Sequence, residues 1–283
     1  RAGAGSERGA APAAAEAARA QRLEAESLDA LRAAYAERAK SASRGRMSPL
    51  TPEEARSLSA ELALHAGTYA SAKRHEAVRS ARASLPASQA RSEFLAALES
   101  SQVVIVAGET GSGKTTQCPH FILEAASSAG CGGEVSIVCA QPRRLAAVGV
   151  AERVSEERGE VPGGTVGYAV RLDSRASWRT RLLFCTSGVL LQRLASSPRL
   201  EGISHVVLDE VHERSLHTDF LLVVLRELLA QRRDLKLVLM SATLQQALFV
   251  QYFAAFAGGA AEGIPVVRIS GRAHPVAVRY LQE

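Results

Sequence analysis

A glycine-rich segment that directly follows the apolar run Val103–Val106 is the feature that most constrains the fold of this chain. The segment and the residue after it read Gly108, Glu109, Thr110, Gly111, Ser112, Gly113, Lys114, Thr115 and Thr116. This spacing is typical of a strand that ends in a phosphate-binding loop and continues as a helix. Its backbone N–H groups and the positive end of the helix dipole attract phosphates. The segment therefore predicts a nucleoside triphosphate site.

Two acidic residues at the end of another apolar run suit this loop. His205–Leu208 leads directly into Asp209 and Glu210. A strand-end aspartate can hold Mg²⁺, and a neighbouring glutamate can orient and deprotonate the attacking water. Lys114 would reach the β- and γ-phosphates, and the Thr115 hydroxyl would coordinate Mg²⁺. The pair predicts Mg²⁺-dependent hydrolysis of ATP or another nucleoside triphosphate.

Composition adds weaker constraints on partners and compartment. The net charge of +5 and the pI of about 9.3 suit a polyanionic partner without identifying one. The four cysteines form no C-x-x-C pair, which favours reduced thiols in an intracellular protein. No apolar run has the length of a membrane span, and we expect no membrane partner. The cytoplasm is the favoured compartment, with the nucleus and organelles left open.

Three regions of the chain differ in composition and in predicted secondary structure. Residues 1–46 form a low-complexity arm rich in Ala and Arg, for which we expect a frayed helix within a largely disordered segment, with a partner-docking helix as the alternative. Residues 47–83 are predicted to be a helical linker. Its first helix begins with the capping pattern Thr51-Pro52-Glu53-Glu54 and is interrupted or ends near Gly67. The basic stretch Lys73–Arg82 is predicted to be solvated.

Residues 84–283 alternate between apolar strand-like runs and helical runs. The predicted strands are Val103–Ala107, Val135–Ala140, Gly167–Leu172, Leu182–Thr186, His205–Leu208, Leu235–Met240 and Pro265–Ile269. The predicted helices are Thr115–Ala126, Leu145–Glu157, Gly188–Ala195, Thr218–Ala230 and Gln245–Phe256. Alternation of this kind predicts an α/β domain with a mainly parallel sheet and helices on both faces.

Polar residues follow several of the predicted strands. Gln141-Pro142-Arg143-Arg144 places two arginines at a helix start, where they oppose the helix dipole unless an anion compensates them. This position favours phosphate contact over a solvated basic turn. Thr186-Ser187-Gly188 offers hydroxyl and backbone donors. Ser241-Ala242-Thr243 supplies small hydroxyl residues that either couple two surfaces or cap a helix.

These motifs, taken in order, resemble the first RecA-like domain of DEAH/DExH-box superfamily 2 RNA helicases. The resemblance covers about residues 84–283 and extends to segments Arg82–Pro86, Val166–Tyr168, Arg181–Leu191, Asp209–Arg214 and Ile269–Val276. It implies a P-loop NTPase that binds single-stranded or structured RNA and unwinds or remodels it from 3′ to 5′. Ribosomes, spliceosomes and other ribonucleoprotein particles are the partners that it suggests.

The resemblance also implies roles for individual residues. Residues Gly108–Thr116 would hold the triphosphate, and Arg153 would stack on its base, so that selectivity among nucleoside triphosphates is loose. Lys114, Asp209, Glu210 and His212 would be catalytic, and Thr115, Asp209 and Glu210 would hold the metal. Arg143, Arg144, Thr186 and Thr243 would contact RNA, while Ser241 and Thr243 would couple nucleotide state to RNA.

Two departures from the family pattern stand out. Ala140 replaces the usual Thr, which removes a hydroxyl expected at the RNA backbone. Nothing after His274 in this sequence supplies the second RecA-like domain, which carries arginine fingers. Because an arginine finger contributes about 10³–10⁵ in rate, we expect this chain to bind nucleotide weakly and hydrolyse it very slowly.

Two rival functions remain open. One is a non-catalytic scaffold that binds RNA or a protein partner. The complete set Lys114, Thr115, Asp209 and Glu210 argues against it, because a scaffold does not need hydrolytic residues. The other is a P-loop helicase that acts on DNA.

Overall fold

The structure is a computed structural model that describes residues 49–242, 246–256 and 263–271. The arm predicted at residues 1–46 lies outside these ranges, as do Thr243 and the part of the exit segment that follows Gly271.

Helices and strands alternate along the described residues in the predicted order. The helices are α1 (Pro52–Ser71), α2 (Glu76–Ala83), α3 (Pro86–Gln89), α4 (Arg91–Ser100), α5 (Lys114–Ser128), α6 (Arg144–Glu157), α7 (Ser187–Ser196), α8 (Leu216–Gln231) and α9 (Gln246–Tyr252). The strands are β1 (Val103–Gly108), β2 (Ile137–Gln141), β3 (Val166–Val170), β4 (Asp173–Arg175), β5 (Leu182–Thr186), β6 (His205–Leu208), β7 (Lys236–Ser241) and β8 (Val266–Ile269). Short 3₁₀ helices lie at Lys73–His75, Val211–Glu213 and Ala254–Phe256. None of the helices in these ranges combines the length and the hydropathy needed to cross a membrane.

The strands of the described residues form one eight-stranded sheet in the order β4-β3-β5-β2-β6-β7-β1-β8. Each pairing is parallel except that of β3 with β4. The carboxyl ends of β1, β2, β5, β6 and β7 therefore share one edge of the sheet, where the polar motifs lie. The predicted α/β fold with a mainly parallel sheet is confirmed.

Two apolar cores cover the two faces of the sheet. Every residue of β1 is buried, because side chains alternate between the faces and helices cover both of them. Val103 and Ile105 belong to the core that includes α7 and α8. Val104 and Val106 belong to the core that includes α4, α5 and α6. The central strands are thus packed on both faces, and they fix the positions of the polar motifs that follow them.

The predicted strand Gly167–Leu172 is shorter in the structure and is followed by an unpredicted partner. β3 ends at Val170, and Leu172 adopts a left-handed backbone with φ of 66°. The chain turns there and returns as β4, antiparallel to β3. Asp173–Arg175 contains no β-branched or aromatic residue. The sequence therefore gave no indication of this short edge strand.

The region ahead of the first strand also differs from its prediction. α1 begins with the predicted capping box at Thr51 but continues through Gly67 to Ser71. The basic stretch is helical as predicted, yet Arg82 is not solvated: it pairs with Glu124 at 2.8 Å and with Glu157 at 3.3 Å. These contacts attach α2 to α5 and α6, since Glu124 and Glu157 lie on those helices. The predicted helix Gln245–Phe256 is divided, because α9 ends at Tyr252 and a 3₁₀ turn follows.

Candidate active site

The phosphate loop between β1 and α5 forms an open cradle. Gly111 and Gly113 have φ of 84° and 86°, in the left-handed region that favours glycine. A Cβ on Gly111 would meet nothing within 4 Å, so open space lies in front of the loop. The Ser112 hydroxyl is buried and has no hydrogen-bond partner among the described residues. A triphosphate fits this cradle, because its oxygens would accept from the backbone N–H groups and from this hydroxyl.

Segments from both ends of the domain support the loop. Ala87 N donates to Ser112 O at 3.0 Å, and a Cβ on Gly113 would come within 3.1 Å of Leu85. Segment Arg82–Pro86, which precedes β1 and shares in the family resemblance, therefore packs directly against the phosphate loop. On the other side, Glu109 lies against Gly271 after β8. The exposed residues Glu109 and Thr110 form the outer rim of the loop.

The first turn of α5 and the end of β6 meet at the loop. Lys114, which is 3% exposed, places its Nζ 3.3 Å from Glu210 Oε1. The Thr115 hydroxyl donates to Asp209 Oδ2 at 2.6 Å. The structure thus brings together the four residues that the sequence separated by nearly a hundred positions. Thr116 lies one residue further along α5, where its hydroxyl donates to Gly113 O at 3.2 Å.

Asp209 is fixed by further donors in addition to Thr115. Gln141 Nε2 donates to its Oδ2 at 3.0 Å, and the Glu210 N–H donates to its Oδ1 at 2.8 Å. Glu210 adopts φ of 52°, an uncommon backbone for a residue with a side chain. The hydroxyl and carboxylate oxygens of Thr115, Asp209 and Glu210 are the hard ligands that Mg²⁺ prefers. The donor set therefore fits the predicted metal.

Gln141 is a site residue that the sequence analysis placed in a motif without giving it a role. It is 1% exposed at the end of β2, and β2 lies beside β6 in the sheet. Its amide therefore reaches the carboxylate at the end of β6. The position of Gln141 directly after a predicted strand could have indicated that it belongs to the site.

His212 links Glu210 to the end of β7. Its Nδ1 accepts from the Ala242 N–H at 3.3 Å and lies 3.3 Å from Glu210 Oε2. Ser241, the last residue of β7, directly precedes Ala242 and is fully buried. His212 and the Ser241–Ala242 segment are therefore in contact, as a coupling role requires, while Thr243 lies outside the described residues.

The predicted RNA contacts follow the neighbouring strands β2 and β5. Arg143 occupies the position before α6, where its side chain is 75% exposed and pairs with Glu213 at 2.9 Å. Arg144 is exposed at the first position of α6, and Thr186 is partly buried opposite Gln141 in the sheet register. These three side chains lie at the edge of the sheet that carries Asp209. Together they present cationic and hydroxyl groups to solvent.

Arg153 is held by two glutamates on its own helix. Its Nε donates to Glu157 Oε1 at 2.9 Å and its Nη1 to Glu156 Oε2 at 3.2 Å. Glu157 is buried and also accepts from Gln117 Nε2 at 2.9 Å, while Gln117 Nε2 contacts the Thr116 hydroxyl at 2.9 Å. A chain of hydrogen bonds therefore connects Arg153 to the start of α5. Sequence reasoning missed Glu157 and Gln117, because 40 residues separate them.

Ala140 does not lie at the solvent-facing edge. It is 1% exposed within β2 and belongs to the apolar core beneath α7 and α8. A hydroxyl at this position would be buried, so the expectation of a missing RNA contact here gains no support from the geometry.

The chain matches a family model and several curated relatives. The family model described as DEAD/DEAH box helicase matches residues 88–249. The chain is 48% identical over 208 residues to the DExH-box ATP-dependent RNA helicase DExH1 of Arabidopsis thaliana, covering 74% of this chain and 20% of that protein. It is 49% identical over 208 residues to the mouse ATP-dependent RNA helicase DHX29, covering 71% of this chain and 15% of that protein.

The chain spans about a fifth or less of the length of these curated relatives. The matched stretch contains the phosphate loop, the strand-end acids and Ser241, which are the elements that the structure brings together. On the family match and on relatives of about 50% identity, the chain belongs to the DEAD/DEAH box helicases.

Proposed function

We propose that this chain is the N-terminal ATP-binding half of an ATP-dependent RNA helicase. The observation that carries the proposal is the convergence of Lys114 and Thr115 on Glu210 and Asp209 beside an open phosphate cradle. The names of the relatives, which are RNA helicases, support RNA as the polymer.

Nucleotide binding is assigned to the loop Gly108–Thr116. Its backbone N–H groups and the amino end of α5 attract the triphosphate, and Lys114 contributes a fixed positive charge. When the nucleotide enters, Lys114 exchanges its contact with Glu210 for a phosphate, which leaves the carboxylate of Glu210 free to accept a proton. Arg153, held by Glu157 near the start of α5, is proposed to stack on the base.

Thr115, Asp209 and Glu210 would hold Mg²⁺, which supplies charge neutralisation for the phosphate oxygens. The Gln141 side-chain amide and the Glu210 backbone N–H donate to Asp209 and hold its carboxylate in place. Glu210 orients the attacking water and takes its proton. His212, in contact with both Glu210 and Ala242, is proposed to transmit this event to the segment Ser241–Thr243.

RNA is proposed to lie along the edge that carries Arg143, Arg144 and Thr186. Arginine and threonine side chains at helix starts bind phosphate oxygens and read no base sequence. Unwinding from 3′ to 5′ requires the second RecA-like domain, with its arginine fingers, from the whole protein. Ribosomal, spliceosomal or other ribonucleoprotein partners and a cytoplasmic site of action are part of the same proposal.

The test is Glu210→Gln in the full-length protein, assayed for nucleotide binding and RNA-stimulated hydrolysis. We expect hydrolysis to fall at least 100-fold while affinity for ATP stays within about threefold, since the amide cannot accept the water's proton. Equal hydrolysis in variant and parent would favour the scaffold. Competition between RNA and DNA of the same sequence identifies the polymer, because 2′-OH contacts distinguish the two.

A further inference from the structure

A cavity lies near the amino ends of the strands, at the opposite end from the phosphate loop. It has a volume of about 480 Å³ and lies between the start of α1 and the loop before β2. Its walls include Leu50, Pro52, Arg56, Glu134 and Arg181. Arg181 immediately precedes β5, so it lies at the amino end of a strand whose carboxyl end carries Thr186.

Arg181 is the unusual group in this cavity. It is 3% exposed, and its Nη1 and Nη2 donate to the carbonyl oxygens of Gly133 and Trp178 at 3.4 and 2.7 Å. Its Nε is buried with no hydrogen-bond partner among the described residues. Burial lowers the pKa of Arg181 to about 10, so the side chain is still cationic at neutral pH.

Other buried arginines in the described part of the chain have a carboxylate partner. Arg158 is 5% exposed and pairs with Glu160 at 3.0 Å. Arg179 is 5% exposed and pairs with Glu61. Among the described residues, the partners of Arg181 are carbonyl oxygens, which carry partial charges and no full negative charge. A buried cation without a counter-charge is costly, and proteins normally supply the missing partner.

The cavity wall indicates which partner would fit. The guanidinium offers a planar fork of donors that matches the two oxygens of a carboxylate or phosphate. Leu50 and Pro52 provide an apolar surface next to it. Arg56 and Glu134 also line the cavity with one positive and one negative charge, so Arg181 adds a net charge of +1 that a single anionic group would match. The volume lies within the range of small-molecule sites, which is about 300–1,000 Å³.

We propose that this cavity binds a small molecule with one oxyanion group, a carboxylate or a phosphate monoester, on Arg181 and an apolar part on Leu50 and Pro52. The ligand supplies a counter-charge that no described carboxylate gives to Arg181. The site is separate from the phosphate loop, since the two lie at opposite ends of the parallel strands. Its occupancy is therefore independent of Lys114.

The test uses benzoate and phenyl phosphate as probes and benzamide as their neutral analogue, at constant ionic strength. The readout is the thermal unfolding midpoint of the 283-residue chain and of its Lys114→Ala variant. We expect both anions, or one of them, to raise the midpoint by about 2–4 °C in both proteins, with no effect of benzamide. The response to each probe distinguishes a carboxylate site from a phosphate site.

Arg181→Met removes the charge and keeps most of the volume. We expect it to abolish the response to the probes and to leave the midpoint without probe unchanged or higher, because an unpaired buried charge has been removed. Arg158→Met is the matched control. It leaves the buried Glu160 carboxylate without its arginine partner, so we expect a lower midpoint and an unchanged response to the probes. A probe response that survives Arg181→Met overturns the proposal, as does equal stabilisation by benzamide.

A second variant covers the case in which Arg181→Met does not fold. Leu50→Glu places a carboxylate on the cavity wall, where it can pair with Arg181. We expect a higher midpoint without probe and at least a tenfold loss of affinity for the anion. A lower midpoint together with undiminished anion binding would show that Arg181 does not hold the anion.

Discussion

Thr115 Oγ1 lies 2.6 Å from Asp209 Oδ2, and the two residues are 94 positions apart in the chain. The contact depends on the sheet order, in which β7 alone separates β1 from β6. Both residues follow the carboxyl ends of parallel strands, so they meet at one edge. This relationship makes the phosphate loop and the acidic pair a single site.

Lys114→Ala should reduce affinity for ATP at least tenfold, since the loop loses its fixed positive charge and Glu210 loses its 3.3 Å partner. Binding of a fluorescent ATP analogue to the chain measures this. The control is Lys73→Ala, which removes an exposed lysine from a 3₁₀ turn away from the loop. Equal affinities for all three proteins would argue against Lys114 as a phosphate ligand.

Glu157→Gln tests the proposed positioning of Arg153. The variant weakens the contacts of Glu157 with Arg153 and Arg82, which the structure gives as 2.9 and 3.3 Å. We expect affinity for ATP to fall about threefold to tenfold, while affinity for inorganic triphosphate, which has no base, stays the same.

The matched control for this variant is Glu156→Gln on the same helix. Glu156 also contacts Arg153, but its side chain is 64% exposed, so its ion pair contributes about 0–1 kcal/mol. We expect its binding of ATP to match the parent. Parallel losses of ATP and triphosphate binding in Glu157→Gln would instead indicate damage to the phosphate loop.

Gly111→Ala and Gly113→Ala should destabilise the loop to different degrees. Both glycines have positive φ, which costs a residue with a Cβ about 1–2 kcal/mol. Gly113→Ala adds a contact at 3.1 Å with Leu85, whereas the space at Gly111 is open. Urea unfolding should therefore show the larger loss for Gly113→Ala.

Gly149→Ala serves as the opposite control. Gly149 lies within α6, and a Cβ there would meet nothing within 4 Å. Alanine should stabilise the helix by about 0.5–1 kcal/mol. A loss of stability in this variant would mean that its surroundings are more crowded than the structure shows.

His205 should make the protein less stable in acid. Burial, followed by the nearby Lys236 ammonium, lowers the pKa of His205 to about 4. Its pKa in the unfolded chain is about 6.5, so between these values the unfolded state binds the extra proton. Stability contributed by neutral His205 is complete above pH of about 6.5 and is lost as pH falls towards about 4.

Urea unfolding of the parent and of His205→Asn at several pH values measures this contribution. We expect the variant to lose less stability than the parent between pH of about 6.5 and 4, by an amount on the order of 2 kcal/mol. Curves with the same slope in both proteins would show that other groups cause the acid sensitivity.

Local sequence patterns were sufficient for the phosphate loop and for most of the strands. Val103–Val106 is apolar at every position, so it is buried on both faces of a sheet whatever its neighbours are. Gly111 and Gly113 occupy the positions where φ is positive, and their spacing from Lys114 is a short-range property. Asp209 and Glu210 follow an apolar run directly, and the family resemblance then gave the acids and Ser241 their expected roles.

Other features depended on contacts between distant residues. The edge strand β4 forms because Leu172 turns the chain back on β3, and its own residues have no strand pattern. Arg82 belongs to a basic stretch that resembles a solvated linker, but Glu124 and Glu157 lie within reach once α2 packs on the domain.

The amino-acid sequence by itself determined the fold class, the phosphate loop and the identity of the acidic pair, because each rests on neighbouring residues and on hydrophobic periodicity. Only the tertiary structure decided which side chains meet: Gln141 with Asp209, Glu157 with Arg153, and Arg181 with no carboxylate among the described residues. Such pairings arise from strand order and helix packing, in which residues far apart in the chain become neighbours through burial of apolar surface.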